Sequence, residues 1–251
     1  MDTGTGPGAG QPRRGDAIGT AFLAALAGRP GPIMVERDDG FVNVDSIAYL
    51  GGLDARDEWA VSRATGHVLD VGAGAGRAAL ALQARGQRVT ALEVSPGAAR
   101  ACRQRGVRDV YLGTLRQAAA DGLAGSFDSA LLLGNNIGLL GSREAAGPFL
   151  EGIGVLLRPG GIIVGTARDP DQAGQPVHLD YQERNRQQGR LPGQATIRVR
   201  FRDIVSDWFD WLIPSPEELA ALARASGWQV AELRRGPGPL YAVVLGRLRP
   251  H

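Results

Sequence analysis

Residues 66–77 read Gly66-His67-Val68-Leu69-Asp70-Val71-Gly72-Ala73-Gly74-Ala75-Gly76-Arg77, and the reading of this stretch decides the fold. Val68, Leu69 and Val71 form the short apolar run of a strand buried on both faces. Glycines follow at positions 72, 74 and 76, and a helix-favouring stretch runs on from Arg77. A strand that breaks through glycines into a helix brings bare backbone and free N–H groups up to a ligand. A dinucleotide site wants its third glycine three residues after the second. Arg77 stands there instead. Asp70 lies two residues before the first glycine, where a carboxylate would repel a pyrophosphate and attract a cation.

S-Adenosyl-L-methionine (AdoMet) carries a sulfonium and an amino-acid head, and fits such a cradle. Asp70-Val71-Gly72-Ala73-Gly74-Ala75-Gly76 resembles the first motif of the class I AdoMet-dependent methyltransferases. The resemblance implies a Rossmann-like α/β fold. Its sheet would be doubly wound and mostly parallel, with seven strands in the order 3-2-1-4-5-7-6 and the last antiparallel. It also implies AdoMet as cofactor, and transfer of its methyl group by in-line displacement to a small-molecule N or O acceptor. Asp70, Gly72, Ala73, Gly74, Gly76 and Arg77 would then contact the cofactor.

Around this stretch strands and helices alternate. Strands are expected at 67–71, 88–93, 109–112, 128–133 and 161–167, with helices at 75–85, 96–105, 115–121 and 142–157. Residues 1–15 are Gly/Pro/Thr-rich and read as a disordered tail, and 16–65 as an N-terminal cap region. A helix is expected from Asp16, its N-cap, to Gly28. Residues 168–213 break the rhythm and read as an insertion forming a lid, a hairpin or a homodimer contact through 195–213. Within it, Ile197, Val199 and Phe201 alternate with arginines, and 208–213 could be the antiparallel partner. Ser215 and Glu218 form a capping box for the next helix. Strands 228–234 and 240–248 then pair as a closing hairpin, an ending this family shares and dinucleotide dehydrogenases usually lack.

Glu93 ends the second strand, where a carboxylate can accept hydrogen bonds from vicinal ribose hydroxyls. Val94 and Ser95 would flank the adenosine, with Ser95 also placed to cap the next helix. Thr114 and Leu115 are the positional candidates at the adenine. Leu133-Gly134-Asn135-Asn136 is similar to the segment after strand four in small-molecule N-methyltransferases of the glycine and sarcosine type. The resemblance places Leu133, Gly134 and Asn135 beside the methionine part of AdoMet and Asn136 at the acceptor. Nucleic-acid amino-methyltransferases carry an Asn/Asp-Pro-Pro-aromatic run here, so nucleic acid is not the expected partner.

Methyl transfer needs alignment and a dry site more than strong acid–base help. For an acceptor that needs a base, His178 and Tyr181 are the catalytic candidates. Tyr49 and Trp59 are candidate pocket aromatics, and Arg184 a candidate clamp for an acidic acceptor. A metal-dependent site would need carboxylates after strands four and five; Asp169 and Asp171 follow strand five, but only asparagines follow strand four. No metal is therefore expected.

Composition sets the outer bounds. The chain has 251 residues, 43% of them hydrophobic, enough for one large domain with an insertion. Its 28 basic residues are all arginine and exceed the 26 acids by only two, too slight a balance for a nucleic-acid stripe. Cys102 is the single cysteine, which excludes an internal disulfide and fits the reducing cytoplasm. No membrane span is expected.

Overall fold

A computed structural model describes residues 13–45, 50–172 and 175–248. In chain order the N-terminal region gives β1 (Arg13–Arg14), α1 (Ala17–Leu26), β2 (Ile33–Arg37), β3 (Val42–Asp45) and α2 (Ala55–Arg63). The alternating core follows: β4 (Val68–Val71), α3 (Arg77–Ala84), β5 (Val89–Glu93), α4 (Pro96–Gln104), β6 (Val110–Leu112), α5 (Leu115–Ala118), β7 (Phe127–Leu132), α6 (Arg143–Leu156) and β8 (Leu157–Arg168). Next come α7 (Pro176–Gln187), β9 (Gln194–Phe201), β10 (Ile204–Val205), β11 (Phe209–Leu212), α8 (Pro216–Ala225), β12 (Trp228–Arg235) and β13 (Leu240–Arg247).

The main sheet has seven strands in the order β12-β13-β8-β7-β4-β5-β6. The five from β8 to β6 are parallel, and β13 runs antiparallel to both its neighbours. Central β4 is buried at every residue, as its unbroken apolar run requires. Leu69, Val71, Leu132 and Ile153 pack on one face, and Val68, Ala79, Leu82 and Leu131 on the other. Helix starts follow local chemistry: Ser95 accepts from the Ala98 N–H, and Ser215 with Glu218 makes a complete capping box.

The insertion does not stand alone. Strand β9 pairs antiparallel with β2, from the N-terminal region, and β2 with β3. On its other side β9 meets β10 and β11, and β1 adds to β10. Two stretches more than a hundred and fifty residues apart thus build one six-stranded sheet over the carboxyl ends of the parallel strands. Arg13 and Arg14, read from sequence as tail, pair with Ile204 and Val205 in it. Strand β9 is interior to this sheet, so residues 197–200 offer no free edge to a second copy. The first part of the insertion, polar in sequence, forms α7, whose buried Asn185 donates to the carbonyls of Pro192 and Gln194 at 2.9 and 2.7 Å.

Helix α1 lies between the two sheets. Ala17, Ala21 and Ala24 pack on Ile33 and Phe201 of the second sheet, while Phe22 packs on Ala75, Ala98 and Ala101 beside the glycine turn. Strand β11 docks on residues 136–140, where a Cβ on Gly138 would lie 2.0 Å from the Trp211 indole. That glycine is what lets the second sheet close down on the core.

Candidate functional site

A cavity of about 990 Å³ runs from the glycine turn to the second sheet. Its floor is the turn itself, the ends of β4, β5 and β7, and Asp70, Glu93 and Leu133 to Asn136. Its roof comes from Phe22 of α1, Ile33 and Val35 of β2, Ile197 and Val199 of β9, and Phe209 and Trp211 of β11.

Gly72, Gly74 and Gly76 all have positive φ, at 68°, 58° and 78°. A Cβ on Gly72 would meet the Asn136 amide nitrogen at 2.7 Å, and one on Gly76 would meet Val107 Cγ2 at 2.5 Å. The turn therefore needs glycine twice over, for conformation and for room. Phe22 stands across from Gly74.

Two carboxyls flank this turn. Asp70 is buried, and its Oδ2 has no hydrogen-bond partner. Burial is the main cause that raises its pKa to about 7, and the nearby Glu93 charge adds to it. Glu93 Oε2 accepts from the Gly74 N–H at 2.8 Å, and Oε1 from the Val94 and Ser95 N–H groups at 2.9 Å each. Burial raises the Glu93 pKa, and those three N–H groups oppose the rise.

A nucleoside with a cationic head fits these residues. The glycine turn offers backbone without side chains, and an orphaned buried carboxylate oxygen is a group that gains by meeting a cation. Asp70, Gly72, Ala73, Gly74, Glu93, Val94, Ser95, Leu133, Gly134 and Asn135 all line the same cavity. Arg77 lines it too, but its guanidinium is held by buried Asp57 at 2.5 Å and by the Gly52 carbonyl at 3.1 Å. Gly76 sits beneath the turn, against Val107 and Cys102.

Other candidates are placed differently. Thr114 and Leu115 lie away from the cavity lining: Thr114 is spent in the capping box that starts α5, and Leu115 packs on the core. Trp59 is also elsewhere, with Arg63 and Arg234 over its ring. Tyr49 falls outside the described residues. Asn136 lines the cavity, but its amide donates to the Val71 and Gly72 carbonyls at 3.0 and 2.7 Å, bracing the turn. Arg184 is not a cavity residue; it pairs with Asp39 at 3.0 Å. Arg198 and Arg200 both hold Glu36, at 2.6 and 2.5 Å. His178 and Tyr181 do line the cavity. Among the described residues no cluster of three or more His, Cys, Asp or Glu could hold a metal ion. No helix there is long and apolar enough to cross a membrane.

Two contributors were not readable from sequence. Arg37 stacks over Tyr181 with its guanidinium carbon 3.9 Å from the ring centroid, makes a two-pronged pair with Asp39 at 2.8 Å, and reaches His178 Nδ1 at 3.2 Å. Asp16 caps α1, accepting from the Gly19 N–H. It also accepts from the Ser95 hydroxyl at 2.7 Å and the Gly97 N–H at 2.8 Å. One carboxylate thus faces the starts of two helices, where the unpaired N–H groups favour negative charge. A small residue at 19 was the available hint: a Cβ there would clash with Asp16 and Ser95.

Residues 68–161 match a family described as a methyltransferase domain. An AdoMet-dependent methyltransferase from Bacteroides fragilis, solved with S-adenosyl-L-homocysteine (AdoHcy), shares 27% identity, with 99% of this chain and 100% of that one covered at a TM-score of 0.79. The chain carries a methyltransferase domain, and its fold is that of the class I AdoMet-dependent methyltransferases. The methyltransferase also matches in fold the CcbJ methyltransferase of Streptomyces caelestis, at 15% identity, 94% and 100% coverage and a TM-score of 0.61. A third match is the 1,6-didemethyltoxoflavin-N1-methyltransferase of Burkholderia thailandensis, at 22% identity, 78% and 79% coverage and a TM-score of 0.53. A comparison with curated protein sequences finds no match. AdoMet is the cofactor of this methyltransferase, and it brings an activated methyl group on a positively charged sulfur.

Proposed function

We propose that the methyltransferase acts on a small organic acceptor, at nitrogen or oxygen, bound in the roofed half of the cavity. The carrying observation is the second sheet. It covers the carboxyl ends of the parallel strands and encloses a space continuous with the glycine turn. A polymer chain would need an open groove; a roof of Ile33, Val35, Ile197, Val199, Phe209 and Trp211 suits a compact, largely apolar molecule. The toxoflavin-precursor enzyme among the fold matches is a small-molecule methyltransferase by its own description, which agrees with this reading.

In this reading Asp70 receives the positive head of AdoMet, and Glu93 the ribose hydroxyls. Gly134 and Asn135 border the methionine portion, and the second sheet acts as a lid that excludes water. The acceptor's lone pair forms the bond to the methyl carbon as the carbon–sulfur bond breaks, and that bond's electrons stay on sulfur. Holding the two reactants in line can contribute roughly 7–11 kcal/mol of the barrier reduction.

The test uses the full-length methyltransferase with methyl-labelled AdoMet and a cell lysate split into macromolecular and low-molecular-mass fractions. Label transfer into the low-mass fraction with matching AdoHcy release is expected. Label confined to RNA or protein overturns the small-molecule reading. AdoHcy binding without any transfer in either fraction marks a non-catalytic binder.

A further inference from the structure

The end of the cavity formed by β2 and α7 carries a cluster whose proton positions follow from geometry. Phe41, just before β3, sets its ring edge-on to the His178 imidazole, with centroids 4.9 Å apart. Arg37 comes from β2 and His178 from α7, and Arg37 Nη1 lies 3.2 Å from His178 Nδ1. A guanidinium has five donors and no acceptor. The contact is therefore a hydrogen bond only if Nδ1 accepts. A neutral imidazole accepting at Nδ1 has its proton on Nε2.

The guanidinium is itself held from every side. Asp39 takes its Nε and Nη2, the Val177 carbonyl takes Nη2 at 3.2 Å, and the rings of Tyr181 and Phe41 stack on it at 3.9 and 4.9 Å. Its side chain is only 10% exposed, so rotating it away from His178 would break a buried ion pair. The charges that face His178 are Arg37 from β2, Arg168 from the end of β8 and Asp39 from the β2–β3 turn. Burial and the two arginines lower its pKa, and Asp39 opposes them.

We propose that Arg37 is a positioning residue that fixes His178 as an Nε2–H donor to the methyl acceptor, so that His178 does not serve as the base. This rests on the small-molecule reading of the same cavity. The other proton-accepting groups at this end are engaged. The Tyr181 hydroxyl donates to Asp38 at 2.8 Å. Asp169 accepts from the Asp171 N–H and the Gln172 amide at 3.1 Å each, with Arg235 at 3.4 Å. The site therefore selects acceptors that are nucleophilic as bound: a heteroaromatic ring nitrogen, or a phenol or enol acidic enough to arrive as its anion. Such a molecule offers a hydrogen-bond-accepting atom to Nε2–H and a flat apolar body to the roof. Its lone pair takes the methyl carbon, sulfur keeps the electrons of the broken bond, and any proton on the acceptor is lost to water.

Long-range proton–nitrogen NMR on the full-length methyltransferase with labelled histidine, saturated with AdoHcy, reads the tautomer directly. The sequence has three histidines, and His178 is assigned by the signal missing in His178→Gln. The expected pattern is a neutral Nε2–H ring that stays neutral below the ordinary histidine pKa of about 6.5. In Arg37→Met the ring should titrate nearer that value and show both tautomers. An Nδ1–H ring, or an ordinary titration already in the unaltered protein, overturns the proposal whether or not Arg37→Met folds.

Turnover gives the second arm, with the low-molecular-mass fraction and labelled AdoMet as the probe. His178→Gln keeps a donor and should retain turnover within about fivefold, whereas His178→Phe should lose about tenfold or more. A His178→Gln variant that binds AdoHcy normally but has lost turnover overturns the donor role. Failure of AdoHcy to bind the unaltered protein would instead reject the methyltransferase cavity itself; the tautomer is then read on the cofactor-free protein, where an Nδ1–H ring still overturns the proposal.

Discussion

Replacing Asp70 by asparagine sets stability and cofactor affinity against each other. Asp70 is buried, one carboxylate oxygen has no partner, and its pKa rises from 3.8 to about 7 in the folded protein. The folded value lies above the unfolded one, so the native state binds the extra proton between those limits. The carboxyl's contribution is therefore fully present below pH 3.8 and is lost as the pH rises to about 7. About three pKa units at 1.36 kcal/mol each put the cost of the ionised, cofactor-free form at up to about 4 kcal/mol. Asparagine keeps the shape and removes the charge, but brings an amide N–H₂ that also wants partners. A net gain of about 2 kcal/mol at pH ~7.5 is expected, raising Tm by roughly 4–8 °C for a chain of this size. Near pH 4 the gain should vanish. AdoMet affinity should fall by about tenfold or more, because a charge-assisted contact to the cationic head is lost. Chemical denaturation at both pH values and calorimetric titration with AdoMet measure the two effects. An Asp70→Asn variant that is destabilised equally at both pH values, or that binds AdoMet as tightly as before, would refute the reasoning.

Glu93→Gln should weaken AdoHcy about tenfold in calorimetry with circular dichroism unchanged, since the single amide oxygen still accepts from part of the three backbone N–H groups while the ribose loses a charged acceptor. Unchanged affinity removes Glu93 from the ribose. Gly76→Ala puts a Cβ 2.5 Å from Val107 Cγ2 at φ +78°, and should cost about 1–3 kcal/mol in denaturant melts; a neutral result would refute the need for glycine there. Glu36→Gln breaks the pairs to Arg198 and Arg200 that tie β2 to β9. Hydrogen bonds from Arg200 first, then from Arg198, help to depress the Glu36 pKa, so the stability it adds is present above pH 4.5 and lost as the pH falls through the folded value. The variant should lose about 1–2 kcal/mol at neutral pH, leave AdoHcy binding intact, and show no loss relative to the unaltered protein in strong acid.

The glycine-turn half of the cavity is written locally. The alternating glycines, Asp70 before them and Glu93 at the next strand end lie within residues 70–93, and Leu133–Asn136 follows the same rhythm after β7. Each sits where a strand ends, and strand ends are marked in sequence by apolar runs. Thr114 lies off the cavity lining for a local reason: it caps α5. The bracing role of Asn136 has no local signal, because its partners are the carbonyls of Val71 and Gly72, sixty-four residues and more away. The helix α7 escaped notice because its buried face is Tyr181, Gln182 and Asn185, polar side chains that carry no apolar periodicity.

The sequence by itself determined the strand–glycine–helix cradle and the alternating α/β core. Those depend on backbone conformation, apolar periodicity and capping, which act between near neighbours. Only the tertiary structure decided that the N-terminal hairpin and the late insertion make one sheet, and that Arg37 meets His178 under it. Pairing β2 with β9 is set by two faces that must bury against α1 and by Glu36 between two arginines. A strand's partner is chosen by whatever apolar face the fold brings opposite it, and that choice is written nowhere along the chain.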